Sequence, residues 1–325
     1  MLAFVLRRVL QGMLVMLVVG FIAFGLFNFV GDPVSLMLPP EATAADRDEM
    51  RKILGLDRPF YAQFITFLGN AVQGNFGISL RLGRPVSTLI AERLPATLEL
   101  ALTGLVFSIA IGIPLGVAAG LKPHSAAGRS IMSGSILGFS LPNFWIGLML
   151  ILLFAVELRI LPAGGRGPVV SVLGIPTAAF SLEGLRHLIL PALTLALYKS
   201  ALVIRIAQAG TREVMLQDYI RFARAKGLSR SRIIFVHVLK NIMIPVVTVL
   251  GLELGSMIAF AVVTETVFAY PGMGKLLIDS INRLDRPIIV AYLMMTVVIF
   301  VIINLIVDLL YAAIDPRVRL AEAKG

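Results

Sequence analysis

REVMLQDYIRFARAKGLSRSRIIFVHVLKNIMIP, residues 212–245, is a long polar insert between two strongly apolar segments. The spacing of its apolar residues predicts two short helices, with Gly227 as the turn and Ser229 as the N-cap of the second. Val214 and Ala223 belong to the first predicted helix, and the apolar face of the second consists of Ile233, Ile234, Val236, Val238 and Leu239. The insert is rich in basic residues and has only two acidic ones, Glu213 and Asp218. The basic residues are Arg212, Arg221, Arg224, Lys226, Arg230, Arg232 and Lys240.

The composition indicates a polytopic membrane protein. Of the 325 residues, 58% are hydrophobic and 15% are charged, and the mean hydropathy is +0.92. Soluble domains are about 45–50% apolar and about 25% charged. The net charge of +10 could suggest nucleic acid, but the basic residues lie in loops beside apolar segments, a pattern typical of membrane orientation. The absence of Cys excludes disulfides and thiolate metal sites, and His124, His187 and His237 are too far apart in sequence to form a ligand cluster.

Six apolar stretches are long enough to span a membrane core, which takes roughly 20 residues. They cover residues 9–30, 97–120, 132–156, 188–207, 242–263 and 290–311. The first is longer than the apolar region of a signal peptide and is predicted to be an uncleaved anchor. Basic residues favour a cytoplasmic location for both termini, for the loop between the second and third spans, and for the loop 208–240. The loops 31–96, 157–187 and 264–289 carry nearly balanced charges and are predicted to be extracytoplasmic.

The long external segment 31–96 contains signals for two helices. Thr43 and Asp46 form the pattern of a capping box, and Gly55 is expected to end the helix that follows. Pro59 is expected to open a second amphipathic helix that runs towards Gly74.

The polar insert resembles the cytoplasmic coupling loop of ABC-importer permeases. That family's pattern is Glu-Ala-Ala, three residues, Gly, nine residues and Ile-x-Leu-Pro; aligned on Gly227, this chain matches at Ala223, Gly227 and Leu239 and lacks the Glu and Pro. The string DYxRxARAKGL followed by HxLxN is similar to the dipeptide/oligopeptide branch of the family. So are GLDRPF (55–60), HLILPALTLAL (187–197), ETVFAYPGMGKLL (265–277) and DPRVRL (315–320), whereas Asn75 stands where that branch usually has Asp.

The resemblance implies an all-α permease subunit with six transmembrane helices and the fold of type I ABC importers. It implies a segment 1–95 with the first anchor and an extracytoplasmic part, a permease core 96–312, and a cytoplasmic tail 313–325. The implied partners are a second homologous permease, two ATP-binding subunits that hold ATP and Mg, and an extracytoplasmic substrate-binding protein. No cofactor is expected on this chain itself. The implied location is the cytoplasmic (inner) membrane of a bacterium or archaeon.

The resemblance also implies which residues meet the ATP-hydrolysing subunit and transmit its motion. They are Asp218, Tyr219, Arg221, Ala223, Arg224, Ala225, Lys226, Gly227 and Leu228. An ordinary basic cytoplasmic loop would explain the charges of this segment, although not the ordered string around Gly227. The branch includes carriers of dipeptides, longer peptides, glutathione and nickel, and the sequence does not choose among them.

Two ionisable residues, Lys199 and Glu253, lie near the middles of the fourth and fifth predicted spans. A charged residue there costs about 2.5–3.5 kcal/mol on insertion scales, so both are expected to face protein or water. They either lie on the path of a zwitterionic peptide or pair for packing. Arg205 and Asp308 are closer to the cytoplasmic interface and are expected to snorkel there. Asn143 and Trp145 are expected to serve packing.

Motifs for catalysis are missing from the sequence. There is no Gly-rich loop ending in Lys-Ser/Thr, no HExxH and no Gly-x-Ser-x-Gly elbow. The chain is therefore predicted to be a transport subunit and not an enzyme. A passive channel or an intramembrane enzyme remains as an alternative, and neither would need a basic loop directed at an ATPase.

Overall fold

A computed structural model describes residues 2–29, 34, 38, 41–53 and 55–314. The predicted cytoplasmic tail lies outside this part of the chain except for residues 313 and 314, and so do the DPRVRL motif and the side chain of Asp308. The described chain divides into two compact units. Unit 1 consists of Met1–Leu94 and Gly272–Val301, and unit 2 consists of Pro95–Pro271 and Ile302–Gly325.

The described chain is mainly helical, with one small antiparallel hairpin. Its elements are α1 (Leu2–Phe29), α2 (Ala44–Ile53), α3 (Phe60–Val72), α4 (Val86–Leu121), α5 (Ala126–Ser140), α6 (Asn143–Leu150), the π-helix π1 (Ile151–Glu157), β1 (Val170–Val172), β2 (Ile175–Thr177), α7 (Leu182–Met215), α8 (Asp218–Ala225), α9 (Arg230–Arg232), the π-helix π2 (Ile233–Val238), α10 (Leu239–Val267), α11 (Met273–Asn282) and α12 (Arg286–Ile314).

Within the residues that the structure describes, five helical runs are long and apolar enough to cross a membrane. They are Leu6–Gly25, Val86–Leu121, Leu182–Met215, Arg230–Val267 and Arg286–Val307. A sixth span is obtained if the bent pair Ala126–Ser140 and Asn143–Glu157 is counted as one. The six predicted stretches all fall on these elements, which supports the six-helix permease architecture.

The third predicted span, 132–156, is sharply bent at the proline that it contains. The two parts of this stretch meet at 106°, and the break lies at Leu141 and Pro142. Both residues have extended backbone, with ψ of 137° and 135°. Proline lacks a backbone N–H and disfavours the helical conformation of the residue before it, which explains why the helix stops here.

In unit 2, glycines of α4 allow α7 to pack closely against it. A Cβ built on Gly116 would lie 2.6 Å from Ala207 Cβ and 2.7 Å from the Ile204 carbonyl oxygen. Gly112 and Gly120 are in similar contact with Val203 and Thr211 of α7. Small residues at such spacing let helix backbones approach, and this contact positions the two central spans of the unit.

In unit 1, α2 and α3 fold as their sequence signals predict. Thr43 Oγ1 donates to Asp46 Oδ2 at 2.7 Å, and the Thr43 N–H donates to the same oxygen at 2.9 Å. Gly55, with φ of +67°, follows α2, and Pro59 is the N-cap of α3. Phenylalanines of α3 pack on Phe21 and Phe24 of α1. The helix α3 is thereby packed against the first span.

Candidate functional site

The polar insert forms a helix, a turn and the start of a long helix. Gly227 has φ of +75° and separates α8 from Ser229, whose side chain caps α9 through the Arg232 N–H at 3.4 Å. Two expectations about this segment are wrong. Arg212, Glu213 and Val214 belong to the last turn of α7, and the second helix is not short, because α9, π2 and α10 form one run, Arg230–Val267.

The face that this run buries follows the π-helical spacing of π2. Ile233 and Val238, five residues apart, are both buried, and the Leu239 N–H bonds to the Ile234 carbonyl, also five residues back. Val236, which was expected on the apolar face, is exposed. An α-helical spacing misplaces this residue because the i to i+5 turn changes which side chains share a face.

A small apolar cluster holds the insert to the ends of the spans. Ile220 and Ala223 of α8 are buried against α4, α7 and π2, in the cluster Val117, Ala207, Val214, Ile220, Ala223, Ile233, Val238 and Ile242. The helix α8 has only eight residues, so the burial of two of its side chains is enough to hold it in place. Through this cluster α8 is in contact with α4, α7 and α10.

The outer face of the insert is apolar as well as basic. Phe222 and Phe235 are 61% and 70% exposed, and Tyr219 and Leu216 are also exposed. Lys226 Nζ lies 4.6 Å from the centre of the Phe222 ring, and Arg221 pairs with Asp218 at 3.2 Å. Clustered exposed aromatic and basic side chains are typical of a surface that another protein covers.

Lys199 and Glu253, the two ionisable residues predicted near the middles of their spans, lie side by side between α7 and α10. Lys199 Nζ donates to Glu253 Oε2 and, at 2.8 Å, to Ser256 Oγ, which donates to Glu253 Oε2 at 2.7 Å. The two charged side chains are 13% and 24% exposed. Each charge is therefore compensated within the protein, which relieves the cost of placing it in an apolar span.

A cavity of ≈ 410 Å³ lies beside this ion pair. Its polar lining includes Lys199, Tyr198 and Asn143, and its apolar lining includes Phe139 and Phe260. The break after α5 opens it, because Leu141 and Pro142 line the same space. Most of the lining is apolar with a few polar groups, as in many small-molecule sites.

Asn143, expected to serve packing, is one of the residues that line this cavity. Its Nδ2 donates to Thr264 Oγ1 at 3.1 Å, while its buried Oδ1 has no hydrogen-bond partner within the described chain. Arg205, expected to snorkel, lies with its guanidinium 5.3 Å from the centre of the Phe139 ring. The centres of the Phe139 and Tyr198 rings lie 5.1 Å apart in a stacked arrangement. Phe139 is therefore in contact with both Tyr198 and Arg205.

A second carboxylate centre in unit 2, at Glu99 of α4, is not among the residues predicted from the sequence. Its oxygens accept from Arg166 Nη2 at 2.7 Å, from Thr177 Oγ1 at 2.6 Å, and from the backbone N–H groups of Ala178 and Ala179 at 2.6 Å. Glu99 and Arg166 are 7% and 11% exposed. This carboxylate therefore attaches the base of the β1–β2 hairpin and the preceding loop to the second span.

Tyr270 also belongs to the Glu99 centre, since its hydroxyl donates to Glu99 Oε2 at 3.2 Å. Burial, and then the negative charge of Glu99, raise the pKa of the Tyr270 hydroxyl above its ordinary value. The phenol therefore stays protonated and remains a donor. Nearby, the fully buried Glu265 accepts from Thr97 Oγ1 at 2.6 Å.

One signal could have pointed to Glu99, because it falls inside the predicted span 97–120 and is a charged residue in an apolar stretch. Its partners lie 67 to 171 residues away in sequence. No local pattern indicates them.

Comparison with known proteins gives the same architecture. Residues 112–320 match the family described as the binding-protein-dependent transport system inner membrane component, and residues 1–101 match the N-terminal part described for the same systems. The fold is similar to that of a chain of the MetNI methionine ABC transporter, with a TM-score of 0.55 and 15% identity over 70% of this chain and 96% of that chain.

Three curated relatives align over nearly their full length. The oligopeptide transport system permease protein AppB of Bacillus subtilis (strain 168) is 41% identical over 98% of this chain and 100% of its own. The dipeptide transport system permease protein DppB of Escherichia coli (strain K12) is 37% identical over 98% and 99%. The glutathione transport system permease protein GsiC of E. coli (strain K12) is 38% identical over 98% and 99%.

Proposed function

This chain belongs to the family of inner membrane components of binding-protein-dependent transport systems, and from that premise we propose that it carries peptides across the membrane. It is a multi-pass membrane transport subunit. In our proposal it forms, with a second homologous permease, the pathway for di- and oligopeptides that an extracytoplasmic binding protein delivers. Two separate subunits bind ATP with Mg and hydrolyse it.

The proposal that the substrates are peptides is supported by the similarity of this chain to peptide permeases over 98% of its length. A glutathione permease is similar to almost the same degree, and glutathione is itself a small peptide. Import of glutathione therefore remains the second candidate within the same architecture.

We propose that α8 and the turn at Gly227 fit a cleft of the ATP-binding subunit. The residues proposed for this contact are Asp218, Tyr219, Arg221, Ala223, Arg224, Ala225, Lys226, Gly227 and Leu228. The exposed Phe222 and Tyr219 support this proposal, and so does the buried cluster through which α8 contacts the ends of α4 and α7. Closing of the ATPase pair would move α8, and the spans packed on it would follow.

We further propose that the pathway passes the cavity beside Lys199. A peptide carries a carboxylate and an ammonium group, and the polar residues that line the cavity include Lys199, Tyr198 and Asn143. Lys199 and Glu253 then either meet the peptide or act only as an internal pair. The cavity and the cluster around α8 both lie in the proposed permease core, 96–312.

The test is peptide uptake by the complete reconstituted complex. The chain, its partner permease, the two ATP-binding subunits and the binding protein are assembled in vesicles, and labelled dipeptide and pentapeptide uptake is measured with and without ATP. ATP-dependent uptake of either peptide, unaffected by excess nickel, supports the proposal. Uptake of glutathione or Ni²⁺ alone, or uptake without ATP, contradicts it.

A further inference from the structure

Two turns of unit 1, residues 78–84 and 281–286, are joined by one buried carboxylate. Asp285 accepts from Ser79 Oγ, from the Leu80 N–H at 3.2 Å and from the Arg81 N–H at 3.3 Å. Ser79 Oγ accepts from the Leu82 N–H at 2.9 Å, so the first turn is closed on itself as well. These two segments, called the joined turns below, therefore present one preorganised surface.

The joined turns contain a leucine in a position that favours glycine. Leu284 has φ of +57° and follows α11, where its N–H bonds to the Ile281 carbonyl at 3.1 Å and the Asp285 N–H bonds to the Ser280 carbonyl at 2.8 Å. This is the Schellman arrangement, in which glycine adopts the left-handed conformation at least cost. The Leu284 side chain is 53% exposed. The strained backbone of Leu284 is therefore not offset by burial of its side chain within unit 1.

The surface around Leu284 combines apolar and cationic side chains. Ile78, Leu82 and Ile281 are exposed. Arg81 and Arg283 are also exposed, and within the described chain neither has a carboxylate in ion-pair distance; the Arg81 Nε donates instead to the Arg283 carbonyl at 2.9 Å. Guanidinium groups without a carboxylate partner can bind an acidic side chain of another protein, and the exposed apolar residues around them can pack on apolar residues that surround that side chain.

We propose that the joined turns are the surface on which the binding protein docks, through an acidic side chain seated between Arg81 and Arg283. This inference rests on the proposed function, which supplies the partner, and on the predicted extracytoplasmic location of the loops 31–96 and 264–289, which contain both turns. A protein partner is favoured over lipid headgroups because the turns are held rigid by Asp285. Rigidity lowers the entropic cost of binding one defined surface, whereas flexible arginines suffice for headgroups.

The experiment compares variants of the complete complex in nanodiscs made with and without anionic lipid. The concentration of the complex's own binding protein that gives half-maximal ATPase stimulation is measured, together with direct binding of that protein to the nanodiscs. The variants are the double charge reversal Arg81→Glu with Arg283→Glu, and Leu284→Gly. Arg58→Glu, an exposed charge reversal in the same external segment, is the matched control.

We expect the double reversal to raise the half-saturating concentration about tenfold and to weaken its salt dependence, because charges at an interface steer association. Leu284→Gly should also raise that concentration while the complex melts at the same or a higher temperature, which separates lost docking from misfolding. Arg58→Glu should behave as wild type. Unchanged half-saturation in both variants overturns the proposal, and an effect seen only with anionic lipid assigns the surface to headgroups instead.

These outcomes are distinguishable from failure of the proposed function. If the binding protein stimulates the ATPase but no peptide is taken up, the substrate proposal fails while the docking measurement stands. If the wild-type complex neither binds the protein nor responds to it, both proposals are wrong.

Discussion

Lys199 on α7 and Glu253 on α10 form an ion pair between two membrane spans, and Ser256 hydrogen-bonds to both. Removing one member of a fully buried pair costs about 3–5 kcal/mol, because it leaves an uncompensated charge. The cost should be at or below the lower end of that range here, since the side chains are 13% and 24% exposed. We expect Lys199→Met and Glu253→Gln each to lower the melting temperature of the complex, and the double variant largely to recover assembly and uptake.

The same double-mutant cycle distinguishes the two roles of the pair. If the residues contact the peptide, each single variant should assemble normally but lose uptake, and the double variant should be no better than the worse single one. Expression and uptake are therefore scored separately. Normal assembly and normal uptake in both single variants would rule out both roles.

Gly227→Val should uncouple ATP hydrolysis from transport while leaving membrane insertion intact. Gly227 has φ of +75°, which a β-branched residue adopts only with strain. A Cβ there would meet no atom within 4 Å, so the effect comes from the backbone and not from a clash. The measurement is ATPase stimulation by the loaded binding protein. Gly227→Asn is the control, since Asn tolerates this conformation better; normal stimulation of the Val variant would be evidence against the coupling role.

The topology predicted from the charged loops can be tested with single cysteines, because the chain contains none. Cysteine is introduced at Asn70 or Ser231, both of which are exposed. We expect a membrane-impermeant thiol reagent added to intact cells to label Asn70→Cys only, and Ser231→Cys to be labelled after the membrane is opened. The reverse pattern would show that the orientation is inverted.

The sequence predicted those features that depend on neighbouring residues. The Thr43–Asp46 capping box, the turn at Gly227 and the Ser229 cap all arise from groups within three residues of each other. Local chemistry of this kind is independent of the rest of the fold.

Features that depend on tertiary packing were not predicted. The spacing of Ile233 and Val238 follows a π-helical turn that hydrophobic periodicity does not distinguish from an α-helix. Pro142 favours the sharp bend after Leu141, but a proline alone does not predict a bend of this size, since Pro95, Pro114, Pro191 and Pro245 lie inside continuous helices. Glu99 was overlooked because every partner of its carboxylate is distant in sequence.

Gly116→Ile should weaken the contact between α4 and α7. Its Cβ would lie 2.6 Å from Ala207 Cβ and 2.7 Å from the Ile204 carbonyl oxygen, so the helices would have to separate. Overpacking of this kind costs about 1–3 kcal/mol. Gly134→Ile is the matched control, because a Cβ at that helical glycine meets no atom within 4 Å. Equal melting temperatures of the two variants in detergent would contradict the close packing.

Glu99→Gln should loosen the β1–β2 hairpin without unfolding the spans. The neutral amide keeps one acceptor oxygen but leaves Arg166, 11% exposed, without its carboxylate, and it cannot accept from Thr177, Ala178, Ala179 and Tyr270 together. Hydrogen bonds to a charged acceptor contribute about 1.5–3 kcal/mol each, so the loss of even one should open the hairpin base measurably. We therefore expect the amides of Ala178 and Ala179 to exchange at least about tenfold faster with deuterium, while the amides in the middle of α4 stay protected. Glu92 lies on α4 as well and forms an exposed ion pair with Arg84, so Glu92→Gln is the control and should leave both amides unchanged. If the two variants gave the same exchange, the Glu99 carboxylate would not be what holds the hairpin to α4.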